Sequence, residues 1–201
     1  MAVGGSMFMK LVRAISAGDA RIALALLAAS PGLAKERAKE DVFLEEIAHY
    51  LYAGDSALHI AAAAYQQEIA RTLIAMDADV RARNRRGAQP LHYAANGGPG
   101  SRSWNPDAQA ATITSLIEAG ADPHAVDNSG VMPLHRAVRT RCTAAVKALL
   151  DGGANARSRN GSGSTPMDLA TQNTGRDGSG SPESKAEQKE IIRLLEQRLG
   201  V

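Results

Sequence analysis

Gly54 to Gly87 reads GDSALHIAAAAYQQEIARTLIAMDADVRARNRRG, and this stretch sets the register for the whole chain. Its entry, Gly54-Asp-Ser-Ala-Leu-His59, returns as Gly87-Ala-Gln-Pro-Leu-His92, Gly130-Val-Met-Pro-Leu-His135 and Gly163-Ser-Thr-Pro-Met-Asp168, at steps of 33, 43 and 33 residues. A second marker, Asp77-Ala-Asp79, Gly120-Ala-Asp122 and Gly153-Ala-Asn155, steps by 43 and 33. Two independent markers keep one register, so the chain is a series of stacked supersecondary units.

Within a unit the apolar positions fall at helical spacing: Leu58, Ala61 and Ala62 on a first helix, Ile69, Leu73 and Ile74 on a second. Ser56 stands where an N-cap belongs. The second helix leaves through Asp77-Ala-Asp79 into an extended stretch, Val80 to Arg83, and a turn, Asn84-Arg-Arg-Gly87. Asx at the first turn position with Gly at the fourth suits a type I turn, and Asp127-Asn-Ser-Gly130 and Asn160-Gly-Ser-Gly163 repeat it. Each unit is thus helix, turn, helix and a projecting finger.

With 3% aromatic residues, the core must be built of Ala and Leu, which suits closely packed helices. One Cys among 201 residues excludes an internal disulfide and fits a reducing compartment. The first six residues are too short and Gly-rich for a secretory signal, and no apolar run approaches the ~20 residues of a membrane span. The expectation is a soluble, cytoplasmic chain with no membrane partner. Its net charge of +2 is unevenly spread: residues 81–159 hold eleven Lys/Arg against five Asp/Glu, so the centre is basic between mildly acidic ends.

The 33-residue step, the runs Gln89-Pro-Leu-His92, Met132-Pro-Leu-His135 and Thr165-Pro-Met-Asp168, and the Gly120-Ala-Asp122 and Gly153-Ala-Asn155 markers resemble the ankyrin-repeat family. The resemblance covers residues 54–200 well and 10–33 loosely. It implies an all-α, ankyrin-type α-solenoid of helix-turn-helix repeats with β-turn fingers. The chain divides into an N-terminal capping repeat over 7–33, an inserted helix over 34–53, full repeats over 54–86, 87–129 and 130–162, and a C-terminal capping repeat over 163–201. Gln89 and Met132 replace the family's Thr, Ala57 its Pro and Asp168 its His, which weakens the expected helix starts.

Insertions interrupt the pattern. About fourteen residues are added before Leu58, ending in DVFLEEIAHYLYAG. Here Asp41 is an expected N-cap, Glu45 and Glu46 suit the positive end of a helix, and Phe43, Ile47 and Leu51 form an apolar stripe. A second surplus, Asn96 to Ala108, carries the chain's one tryptophan, Trp104, which either packs on the helices or anchors a partner. A third, Thr174 to Lys185, has the composition of a flexible insertion. Lys189 to Gly200 closes the array as a helix.

No catalytic set emerges. Equivalent histidines in stacked helices point the same way from axes ~8–10 Å apart, whereas zinc draws imidazole nitrogens onto one point at ~2.0–2.1 Å. The resemblance gives His59, His92 and His135 a structural role within their turns. Cys142 has no neighbouring base, no Gly-rich phosphate loop precedes a Lys-Ser/Thr helix start, and no carboxylate pair has defensible spacing. The sequence therefore implies no enzyme, no cofactor, no metal and no small-molecule substrate. It points to a protein-binding groove on the concave side, where the family places fingers and first helices. Arg81, Arg83, Arg85, Arg86, Arg136, Arg139, Arg157 and Arg159 would supply charge there, Tyr93 an aromatic anchor, and Trp104 a further contact, for an acidic or mixed-charge protein partner. Nucleic acid is the weaker alternative, because Tyr93 and Trp104 alone stand ready to stack on bases.

Overall fold

The computed structural model describes residues 6–47, 49–99, 104–172 and 181–200. Ten α-helices alternate along it: α1 Met7–Ser16, α2 Ala20–Ala29, α3 Ala57–Ala63, α4 Gln67–Ala75, α5 Pro90–Ala94, α6 Pro106–Glu118, α7 Pro133–Arg139, α8 Thr143–Asp151, α9 Pro166–Thr171 and α10 Pro182–Leu199. Odd-numbered helices pack in one rank, each against the next, and even-numbered helices pack in a second rank behind them. This is the all-α solenoid with fingers that the repeat implies.

Small residues let the first rank close up. Ala61, Ala94, Ala137 and Ala170 occupy one repeat position and are all buried. Leu73, Leu116 and Leu149 occupy the matching position of the second rank and are fully buried. A side chain larger than Ala in the first row would force apart helix backbones packed at interior density. In α2 it is Ala23 and Leu27 that turn inward, while Ile22 is exposed.

Two of the histidines, His59 and His92, tie unit to unit, and His135 bonds within its own. His59 Nδ1 accepts the Ser56 N–H at 3.1 Å, capping its own helix, while Nε2 faces the Ala88 carbonyl at 3.2 Å in the following unit. His92 accepts from Gln89 N–H and reaches Val131 O at 3.0 Å; His135 accepts from Met132 N–H and reaches Ser158 O at 3.2 Å. An Nδ1 that accepts leaves the proton on Nε2, which then donates to the carbonyl. Helices α5 and α7 therefore start without the missing threonine hydroxyls. Asp168, at the same place in the last unit, accepts the Thr165 N–H at 2.8 Å and has no second N–H to pass on.

The fingers form a row of their own. Asn84 Oδ1 accepts from the N–H groups of Arg86 and Ala88, and Asp127 and Asn160 repeat that pair of bonds in their own turns. Successive fingers join backbone to backbone, Arg85 N–H to Ala53 O and Asn128 N–H to Arg86 O, each at 2.9 Å. Gly87 suits its place: its φ is +73°, a conformation that favours glycine, and a Cβ would push aside the Asn128 side chain, 2.2 Å away. Val80 to Arg83, expected to be extended, instead begins with a turn at Val80 and Arg81.

Two expectations are corrected. The insert over 34–53 is not a helix. After a 3-10 turn, Pro31–Ala34, it forms a β-hairpin, β1 Val42–Leu44 pairing antiparallel with β2 His49–Leu51 in the register Val42↔Leu51, Phe43↔Tyr50, Leu44↔His49, with a second 3-10 turn, Glu45–Ile47, between the strands. Leu44 and Leu51 are buried while Phe43 and Tyr50 face out, a period of two. Asp41 caps no helix; it accepts the Ala53 N–H across the hairpin base at 2.9 Å. The closing helix also starts earlier than Lys189: Pro182 occupies its first turn and Ser181 Oγ accepts the Ser184 N–H at 3.2 Å. The rest of the expected third insertion, and residues 100–103 of the second, lie outside the described residues.

Candidate interaction groove

Between the hairpin, the fingers and the first helices lies a concavity of about 550 Å³. Four of its lining residues are arginines, Arg85, Arg86, Arg136 and Arg139, against one carboxylate, Asp127.

Its floor is a buried polar network. Asp55 is fully buried and accepts three hydrogen bonds, from Tyr52 N–H at 2.7 Å, Tyr93 Oη–H at 2.7 Å and Asn84 Nδ2–H at 2.9 Å. Burial pushes its carboxyl pKa up against the opposing pull of those donors. His59 Nε2 lies 3.7 Å from Asp55, beyond a hydrogen bond, and burial holds that imidazole neutral with its pKa lowered to about 3. His49, on the inner face of the hairpin, meets the Tyr93 ring edge-on at 4.9 Å, and burial lowers its pKa too. Asp55 and Asn84 escaped the reading of the sequence as floor residues. A signal was present: Asp55 holds the register position that Ala88, Val131 and Ser164 fill elsewhere, so it is a lone charge in a small-residue row.

The expected aromatic anchors are placed differently. Tyr93 is 2% exposed, and its hydroxyl is engaged by Asp55 and Asn84, so it is floor rather than anchor. Trp104 packs half-buried on the helices, its Nε1–H donating to Gln109 Oε1 at 3.0 Å, and it does not line the groove. The aromatic ring at the arginines is Tyr52, which the sequence reading passed over: Arg86 lies 4.8 Å and Arg85 5.3 Å from its centroid.

The arginines divide into two sets. Arg81 donates to the Gly120 carbonyl, Arg83 to Val126 O and Arg157 to Leu199 O, each at 2.8 Å, and Arg159 donates to Gly163 O at 2.6 Å. The first three bridge neighbouring units; Arg159 closes its own finger. In the groove, Arg85 pairs with Asp41, and Arg86 donates to Tyr52 Oη at 2.7 Å. Arg136, 17% exposed, pairs with Asp127 at 2.7 Å. Burial alone would raise the Asp127 pKa, but Arg136 and the Val131 and Ser129 N–H groups outweigh it and the net shift is down. Arg139 is exposed and makes no ion pair among the described residues.

Among the described residues no group of three or more His, Cys, Asp or Glu is placed to hold a metal ion. Cys142 is buried, and burial raises its thiol pKa. None of the described helices is long and apolar enough to cross a membrane.

Comparison with known proteins matches a family model described as ankyrin repeats in three copies to residues 11–101, and one described as ankyrin repeats in many copies to residues 116–170. Mouse "Ankyrin repeat and SOCS box protein 16" is 38% identical over 117 residues, 57% of this chain and 25% of that protein. The Drosophila melanogaster tyrosine-protein kinase Shark is 36% identical over 121 residues, 59% of this chain and 12% of the kinase. The Hydra vulgaris tyrosine-protein kinase HTK16 is 30% identical over 156 residues, 77% and 19% of the respective chains. The chain thus spans a quarter or less of the length of these curated relatives.

Proposed function

Because this chain belongs to the ankyrin-repeat family, we propose that it is a protein-interaction module whose groove takes an acidic or mixed-charge segment of a partner protein. Ankyrin repeats are general protein–protein interaction modules. The supporting observation is the excess of arginine over carboxylate around one concavity. A carboxylate entering it meets planar guanidinium donors, which bind carboxylates in bidentate fashion. Arg85 and Arg136 are held in place by Asp41 and Asp127, so their side-chain entropy is already spent before a partner arrives. Arg86 and Arg139 carry the charge that is not matched by a carboxylate. The module reading assigns the chain no reaction of its own, and it places the chain in the cytoplasm, the compartment that a sequence with no disulfide pair fits.

The test is affinity capture with the chain as bait, wild type beside Arg86→Glu/Arg139→Glu. These two side chains are exposed and make no ion pair among the described residues, and circular dichroism of the double variant checks that the fold survives loss of the Arg86–Tyr52 hydrogen bond. Loss of specific partners in the double variant is expected, with weakening between 50 and 300 mM salt. Retention of every partner overturns the proposal. Titration with single- and double-stranded nucleic acid at 50 mM salt addresses the alternative: tight binding with a steep log–log salt slope would replace the protein partner with nucleic acid.

A further inference from the structure

The hairpin's outer face is aromatic where an antiparallel sheet facing water normally alternates to polar. Phe43 and Tyr50 stand opposite each other, 46% and 50% exposed, with ring centroids 5.0 Å apart. Tyr50 stacks on Tyr52 at 5.9 Å, and Arg86 lies 4.8 Å from the Tyr52 ring. These contacts make one continuous strip from an exposed apolar lip to the positive groove. Of the five large apolar side chains that stand exposed among the described residues, two are on this lip.

We propose that the strip is one docking surface for an extended, acidic partner peptide. An apolar side chain of the peptide seats on Phe43 and Tyr50, and a carboxylate three to five residues along the same peptide enters the groove at Arg86. This rests on the groove reading above and deepens it. The spacing follows from the run of 5.0, 5.9 and 4.8 Å steps, which four or five extended residues span at ~3.3 Å each. Aromatic rings with few rotatable bonds, beside arginine, are the composition of interface centres. Stacked nucleobases fit less well, because a nucleic acid would bring a phosphate with every base past the exposed Glu40 and Glu45, whereas the peptide brings one carboxylate, to Arg86.

The cross-strand pair also stabilises the hairpin itself, so the test must separate fold from docking. A displayed library of random twelve-residue peptides is panned against the full chain, and the enriched sequences are synthesised with a fluorescent label for anisotropy titration. Enrichment of acidic residues with an aliphatic or aromatic residue three to five positions away is expected. Phe43→Thr/Tyr50→Thr should weaken such a peptide about ten-fold, as should Ala at its apolar position, with no further loss when the two are combined. Arg86→Glu/Arg139→Glu reads the groove separately. Acidic peptides indifferent to Phe43 and Tyr50 overturn this inference and leave the groove standing. Apolar peptides indifferent to Arg86 and Arg139, or no enrichment at all, overturn both. Displacement of the peptide by a single-stranded RNA twelve-mer with a steep salt slope also overturns it. Should the Thr variant fail to fold by circular dichroism, peptide-induced hydrogen-exchange protection of residues 42–52 in the wild type takes its place, and absence of protection counts against the proposal.

Discussion

His59, His92 and His135 each do two jobs with two ring nitrogens, and both require the neutral ring. Burial lowers the His59 pKa to about 3 and the His92 pKa to about 4, and lowers His135 as well. Their unfolded value is near 6.5. A base whose folded pKa is depressed binds its proton more readily when unfolded, so stability is fully present above pH 6.5 and is lost as pH falls toward the folded value. Between pH 6.5 and 5 the loss is on the order of 2 kcal/mol for each of His59 and His92. Asp55 runs the other way: its raised folded pKa adds stability at low pH that is lost as pH rises above the usual carboxylate value of 3.8. Thermal melts should therefore show the midpoint falling steadily from pH 7 to 5; a flat midpoint would mean the rings are not held neutral. The role of these histidines was implied by the family resemblance, and three copies in one register marked the positions that carry it. What the sequence hid is the other end of each bond, since Ala88, Val131 and Ser158 accept through backbone carbonyls that carry no residue signature.

At the level of elements, repetition made the helices readable, and its absence made the insert unreadable. Phe43, Ile47 and Leu51 sit four apart and mimic a helical stripe, but the same segment alternates as Val42, Leu44 in and Phe43 out, and the shorter period won. The partners that fix the hairpin lie far along the chain: Asp41 meets Arg85, and His49 meets Tyr93. Nothing local announces them. Backbone conformation, by contrast, follows the register closely. Gly18, Tyr65 and Arg141 all take left-handed φ between the helices of a pair, and Asp77, Gly120 and Gly153 all take it after the second helix, at +61°, +94° and +93°. A non-glycine residue in that region costs roughly 1–2 kcal/mol. Gly120 has no heavy atom within 4 Å of a built Cβ, so Gly120→Ala tests the backbone cost alone. It should lower stability by about 1 kcal/mol. Asp77→Gly should raise it by roughly 0.5–1 kcal/mol, giving up an exposed pair with Lys35 that contributes little. Denaturant melts decide both signs, and matching signs would show that the two positions are not equivalent.

For the molecule as a whole, stacking makes stability a matter of neighbours, and the neighbours are unequal. Helix α3 packs on α1, α4 and α5, and the hairpin adds links across the same units, through Arg13 with Glu46, His49 with Tyr93, and Arg86 with Tyr52. Among the described residues the other end has no such hairpin; its half-buried ties are Glu187 accepting the Thr143 N–H at 2.6 Å and Gln188 donating to the Ala170 carbonyl at 2.7 Å. Helix α10 packs on α8 and α9 through Ile191 and Leu195, and its outer ties, Arg198 with Asp151 and Arg157 with the Leu199 carbonyl, are exposed. Exposed ties of that kind add little. Leu58 and Leu195 are both fully buried, and truncating either to Ala removes the same atoms, at about 2–5 kcal/mol. The consequences should differ in extent. Leu195→Ala should open α8 to α10 alone, because their loss exposes one interface and spares the hairpin-clasped units. Leu58→Ala should weaken every unit, since it strikes the element on which α1, α4 and α5 rest. Native-state hydrogen exchange distinguishes the two: protection falling across α8–α10 with α3–α5 unchanged is expected for Leu195→Ala, and a uniform fall for Leu58→Ala. A uniform fall for both would mean that the array unfolds as one cooperative block. The groove would then share its stability with the C-terminal cap, and the arginine row could not stay organised while the end of the stack frays.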